Sequence, residues 1–155
     1  MINPFTSEQR RIQEAYASHI YEKVNPDIYA VCTLKQGIFT DNIYIPGDPA
    51  RYAAEAKRFI RRLSRRVYGR NYARTKKEIP AAVTLENHKG EQRFHLNVML
   101  RKPDWMSHNR FETAFTLEWM KMPWGRDDMK FGVRYADCVR YSLKEGSDSL
   151  VYLTR

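Results

Sequence analysis

Near the end of the chain, "RYADCVRYSLKEGSDSLVY" (residues 134–152) sets Tyr141 three residues before Lys144 in a stretch that reads as a short helix. Residues at that spacing are neighbours on one helix face. A phenol ionises only near about pH 10, so as a nucleophile it needs a cation beside it, and a lysine one turn away can supply that. The same spacing also describes a half-buried core tyrosine next to a solvated lysine, and a match this short does not separate the two. A second place is the hairpin "LENHKGEQRFHLNVML" (85–100). Strand alternation puts His95 and Asn97 on one face and turns Phe94, Leu96 and Val98 to the other. Glu86, on the facing strand, can point to the same side as His95. A carboxylate, an imidazole and an amide oxygen converging on one sheet face can hold a hard divalent ion such as Mg²⁺ or Mn²⁺, and they suit zinc poorly. The alternative is a polar strand face with no ligand. A third place is "VCTLKQ" (31–36), where Thr33 ends a strand and needs no role beyond being a good strand former.

These residues must be positioned by regular elements. Residues 7–24 read as a helix with Ser7 as cap and Ile12, Tyr16, Ile20 and Val24 as its apolar stripe. "NPD" at 25–27 ends it, and 28–37 reads as a strand. Residues 39–49 read as a loop with room for a short strand at 43–45. Residues 48–69 make a strong helix: Asp48 caps, Pro49 takes the first position, Gly69 stops it, and Tyr52, Ala56, Ile60, Leu63 and Val67 form the buried face. Strands at 79–87 and 92–100 form a hairpin around Gly90. A helix at 107–122, capped by Ser107 or Asn109, precedes the loop "PWGRDD", the strand "MKFGVRY", a helix at 136–146 stopped by Gly146, and the closing strand "SLVYLT". Hairpins beside crossover helices predict an α+β fold. It would have a mainly antiparallel sheet of about five strands, helices packed against it, and one domain over 1–155.

Composition narrows the classes. Cys32 and Cys138 lie far apart with no CxxC partner, which predicts free thiols, a reducing compartment and no cysteine-based zinc site. No apolar run reaches a membrane span, and the expectation is a soluble, cytoplasmic chain with no membrane partner. The net charge is +9. Its excess is concentrated in Lys57, Arg58, Arg61, Arg62, Arg65, Arg66, Arg70, Arg74 and Lys76, with Glu55 the one acid among them. Along the helix at 48–69, Arg58, Arg62 and Arg66, with Lys57, Arg61 and Arg65 beside them, form two adjacent outward stripes. They point to a polyanion, nucleic acid before acidic lipid; the alternative is a solvated helix face.

Taken in order, "CTLK" (32–35), "FHLNV" (94–98) with Glu86 nine residues before His95, and "YSLKEG" (141–146) resemble the three motifs of the HUH endonuclease superfamily of rolling-circle replication initiators. The last is similar to the YCSKEG form of replication proteins from small circular single-stranded DNA viruses. The resemblance runs from about residue 28 to 152. It implies a ferredoxin-like or RRM-like core and a metal-assisted endonuclease that nicks and joins single-stranded or hairpin DNA. Tyr141 would be the nucleophile, aided by Lys144 and leaving a 5′-phosphotyrosine and a free 3′-hydroxyl. Glu86, His95 and Asn97 would hold Mg²⁺ or Mn²⁺. Lys57, Arg58, Arg61, Arg62, Arg65, Arg66 and Arg70 would clamp the DNA backbone, and Tyr68, Tyr72 and Trp105 are candidates for stacking on bases. Three features depart from the family pattern. Asn97 replaces the second histidine, the helix at 7–24 precedes the first motif, and no ATPase segment follows, which implies a separate helicase. The implied location is the cytoplasm, or the nucleus of a virus-infected host. Two relatives in the same superfamily fit the chemistry, a relaxase and a single-strand transposase. Two non-enzymes also fit: a nuclease-inactive relative that binds nucleic-acid hairpins, and an unrelated basic RNA-binding domain.

Overall fold

Alternation along the strands supplies two apolar faces. In the computed structural model, which describes residues 5–87, 93–133 and 137–154, β1 (Ile28–Leu34) sends Ile28, Ala30, Cys32 and Leu34 to one side and Tyr29 and Val31 to the other. β5 (Phe94–Leu100) does the same, with Leu96, Val98 and Leu100 on the first side and Met99 on the second. Each side therefore needs its own cover. α2 (Pro49–Tyr68) and α4 (His108–Trp119) pack on the first, burying Tyr52, Phe59, Ile60, Leu63, Phe111, Phe115 and Trp119. α1 (Ser7–Lys23) and α5 (Cys138–Ser142) cover the second through Ala17, Ile20, Cys138 and Val139.

The fold is α+β. Its main sheet has five strands in the order β6-β1-β5-β4-β7, with every neighbouring pair antiparallel; the others are β4 (Ala81–Asn87), β6 (Gly125–Val133) and β7 (Leu150–Leu153). A separate two-stranded ribbon, β2 (Gly37–Thr40) and β3 (Ile43–Pro46), occupies most of the expected loop. It closes through Asp41 and Asn42, both at positive φ (51° and 65°), as a two-residue hairpin turn requires. No helix among the described residues is long and apolar enough to cross a membrane.

α2 follows its sequence signals: the Asp48 carboxylate accepts from the Arg51 N–H, and Gly69 ends the helix at φ 55°. A short α3 (Arg70–Thr75) follows, which the periodicity does not predict. α1 differs in two respects. Its cap is Thr6, paired reciprocally with Gln9 in a capping box, rather than Ser7. Its buried stripe runs through Ala17, Ile20 and Val24, while Ile12 and Tyr16 are about 40% exposed. Ile20 and Val24 are buried as expected, and the first half of the stripe is displaced by one residue where the helix packs on α5 and Gln13 donates to the Leu143 carbonyl. β1 stops at Leu34, β6 begins within the expected loop at Gly125, and α5 is shorter than expected. The turn expected at 88–91 lies outside the described residues.

Candidate active site

The register of three strands assembles the site. Glu86 on β4 faces His95 on β5, and His95 faces Thr33 on β1. Directly opposed side chains share a sheet face, so the three form a row across the sheet. Beyond it, the Thr33 hydroxyl bonds to Asp128 on β6. One step along the strands, Asn97 faces Thr84 and Val31. This is the face covered by α1 and α5, so a polar row sits at the margin of a packed layer.

Asn97 and Glu86 are almost fully buried, and each needs partners. The Tyr29 hydroxyl donates to Asn97 Oδ1 (2.9 Å), and Asn97 Nδ2 donates to Glu86 Oε2 (2.9 Å) and to Thr84 Oγ1 (3.3 Å). The Lys144 ammonium stands 2.7 Å from Glu86 Oε1 and donates to the Tyr141 hydroxyl at 2.8 Å. Tyr29, Asn97, Glu86, Lys144 and Tyr141 thus form one polar chain, running from the core to a tyrosine that is 47% exposed. Partial burial works against the Lys144 charge, but hydrogen bonds and attraction from Glu86 and Tyr141 outweigh it and hold the ammonium's pKa above the usual lysine value.

Local structure explains why Tyr141 faces out. Cys138, Val139 and Leu143 anchor α5 and its end in the second core layer, which turns Arg140, Tyr141 and Lys144 away from it. Arg140 ties α5 to α1 through Glu14 at 3.0 Å, and the Glu14 carboxyl is held below its ordinary pKa by that guanidinium. Glu145 accepts from the Asn87 N–H at 2.9 Å, fastening the end of β4 to the same segment. Gly146, at φ 116°, makes the turn into β7 that a side-chain-bearing residue would resist.

The carboxylate of Glu86 is a donor of the type a hard divalent ion takes, and the register sets the His95 imidazole opposite it as a second, softer donor. Asn97 is brought to Glu86 through its amide nitrogen, while its oxygen, the atom a metal would use, takes the Tyr29 O–H. Turning that amide by half a turn would present the oxygen instead, with the Tyr29 hydroxyl then accepting. Lys144 already holds one Glu86 oxygen, so an ion at Glu86 would share the carboxylate with it. Among the described residues there is no cluster of three His, Cys, Asp or Glu side chains. Cys32 and Cys138 are free and buried, and burial pushes the Cys32 thiol far up, removing it as a nucleophile.

The arginines lie elsewhere. α2 covers the face of the sheet opposite α5, so the basic stripes and Tyr141 sit on opposite layers. Half of the stripe is also neutralised. Arg62 and Arg66 both bind Glu118 of α4 (3.1 and 2.8 Å), Arg61 binds Glu78 (3.4 Å), and Arg58 approaches Glu55 (3.8 Å). Burial opposes the Glu118 charge, but Arg66, Lys121 and Arg62 outweigh it and keep its pKa below the carboxylate range. Lys57, Arg65 and Arg70 form no ion pair among the described residues, and Arg65 lies over the Tyr72 ring. Tyr72 is buried and Tyr68 half-buried, whereas Trp105 is exposed. His88 falls outside the described residues.

Tyr29, Thr84 and Asp128 join the site without a signal in any motif. Tyr29 was findable, because it shares the alternation phase of Thr33 on β1. Comparison of the chain with protein families, curated proteins and solved structures finds no match.

Proposed function

We propose that the chain is a DNA nicking and joining endonuclease in which Tyr141 is the nucleophile. The observation that carries this reading is the contact of an exposed tyrosine hydroxyl with Lys144, itself fixed by the buried Glu86. The Tyr141 oxygen attacks the phosphorus of a phosphodiester, and its proton passes to solvent. The bond from phosphorus to the 3′-oxygen breaks, and that oxygen takes up a proton and leaves as a 3′-hydroxyl. The downstream strand stays on Tyr141 as a 5′-phosphotyrosine. Joining is the reverse, with a 3′-hydroxyl attacking phosphorus and the phenol leaving. Lys144 stabilises the phenolate both as it forms and as it departs. Mg²⁺ or Mn²⁺ held by Glu86 and His95, with the Asn97 oxygen if the amide turns, would neutralise charge on the phosphate. Single-stranded or stem-loop DNA is the substrate class, and initiation of rolling-circle replication is the role that the motif order favours.

The test is a denaturing gel of 3′-labelled single-stranded and stem-loop DNAs incubated with the protein and Mn²⁺. A labelled adduct that disappears in Tyr141→Phe and on chelation is expected. A second reading is a nuclease-inactive hairpin-binding relative. It is favoured by one observation, that Tyr29 occupies the Asn97 oxygen. It predicts retarded DNA on a native gel with no adduct for any substrate.

A further inference from the structure

β7 is an edge strand, paired on one side with β4. It starts beside Thr84, close to Glu86, and runs away from it, with Leu153 beside Ala82. Its outer flank and α2 enclose an open groove of about 540 Å³, lined by Lys57 and Arg61 of α2, by Lys76 and Glu78, and by Tyr152 and Thr154. Glu78 is the acid lining it, and it is already engaged: Arg61 lies 3.4 Å from one oxygen, and the Tyr152 hydroxyl donates to the other. The Lys57 and Lys76 ammoniums, both on exposed residues, form no ion pair among the described residues. Lys76, which lines the groove, also packs over the Tyr72 ring at 5.5 Å. Three cations against one already-paired carboxylate make a groove that attracts polyanions. It opens around the sheet edge one strand beyond the Glu86–Lys144–Tyr141 chain.

We propose that this groove binds a second segment of the nucleic acid by its phosphodiester backbone. Lys57, Arg61 and Lys76 contact phosphates, and the substrate wraps around the β7 edge from the Tyr141 face towards the α2 face. The inference rests on the nicking reading for the identity of the polyanion as the enzyme's own substrate. It accounts for the placement of the basic helix on the layer opposite Tyr141: the helix serves a flanking segment rather than the scissile phosphate.

The test measures binding of a fluorescent DNA stem-loop with a single-stranded extension by anisotropy over a series of salt concentrations. Three proteins are compared: the parent chain, the pair Lys57→Gln with Lys76→Gln, and a charge-matched pair on α1, Arg10→Gln with Lys23→Gln. Each lost phosphate contact lowers the slope of log K against log salt by about one. The groove pair is therefore expected to lower it by about two, and the α1 pair to leave it near the parent value. An unchanged slope in the groove pair, or an equal loss in both pairs, overturns the proposal. So does binding of the groove to anionic lipid vesicles with no effect on DNA. The parent protein is assayed in parallel for covalent adduct. Absence of adduct alongside a groove-specific slope change would remove the nicking reading and leave the groove as a nucleic-acid site.

Discussion

The Lys144 ammonium stands 2.7 Å from Glu86 Oε1, so the cation that meets the Tyr141 hydroxyl is itself ion-paired to a buried carboxylate. Glu86 is almost fully buried, whereas Lys144 keeps about a third of its side chain exposed. Breaking the pair strands the carboxylate more than the ammonium. Solvent screening at Lys144 reduces the cost, and Lys144→Met is expected to destabilise the fold by about 1–2 kcal/mol in denaturant titrations.

The pair also gives stability a pH dependence with a definite sign. The folded pKa of Lys144 lies above that of a free lysine. Its contribution is complete below the unfolded value, about 10.4, and is lost as pH rises through the higher folded value. Thermal unfolding between about pH 9 and 12 should show the parent losing more stability than Lys144→Met. Parallel curves would mean that the ion pair does not persist in solution.

Competition at Glu86 predicts a metal-binding pattern that needs no catalysis. Lys144→Gln removes the ammonium that shares the carboxylate, and should tighten Mn²⁺ binding as read by the paramagnetic resonance of free Mn²⁺. Glu86→Gln should weaken it. Equal affinity in the parent and both variants would put the ion away from this carboxylate.

Tyr29→Phe keeps the ring and removes the O–H that fixes the Asn97 amide. It leaves a buried acceptor short of a donor, at a cost of about 1–2 kcal/mol. If the amide then turns its oxygen to Glu86, Mn²⁺ binding should strengthen despite the lower stability. A variant that loses stability with unaltered Mn²⁺ affinity would confine Tyr29 to packing.

Glu118 holds Arg62 and Arg66 against α4, and its lowered pKa makes this contribution one that is present above the ordinary carboxylate range and lost as pH falls through the folded value. Glu118→Gln should lower stability near neutral pH, with parent and variant converging as pH falls below the folded pKa, and at the same time release two guanidiniums. DNA affinity at low salt should therefore rise while the melting temperature falls. A fall in both would show that the two arginines already contact DNA in the parent chain.

The fold was legible where one signal dominated. α2 carries cap, proline, stop and apolar stripe in one segment, and all of them agree with the structure. Alternation along each strand allowed Glu86 and His95 to share a face, and the β4–β5 register sets the two directly opposite each other. In α1, Ile20 and Val24 are buried as expected, but the first half was read one residue out of phase, because Ile12 and Tyr16 look apolar locally and only the packing of α5 decides which face is buried. Of the β2–β3 ribbon, β3 matches the short strand expected at 43–45, whereas β2 read as part of a strand end and a loop, although Asp41 and Asn42 are residues that tolerate the turn's positive φ. At the site, the strand face bearing His95 and Asn97 read as wet or functional because it is polar. The structure buries Asn97, since Tyr29, Thr84 and Glu86 supply its partners from three positions distant in sequence. The opposite placement of Tyr141 and the arginines was not legible at all, because it depends on which sheet face each helix crosses to.

The most direct measurement is peptide mapping by mass spectrometry after incubation of the protein with single-stranded and stem-loop DNA and Mn²⁺, followed by nuclease trimming. A nucleotide-modified peptide spanning Tyr141 is expected, with the phosphate on the tyrosine oxygen and no modified peptide in Tyr141→Phe. Modification at another tyrosine, or DNA that is bound and recovered intact with every tyrosine unmodified, would contradict the assignment of Tyr141 as the nucleophile.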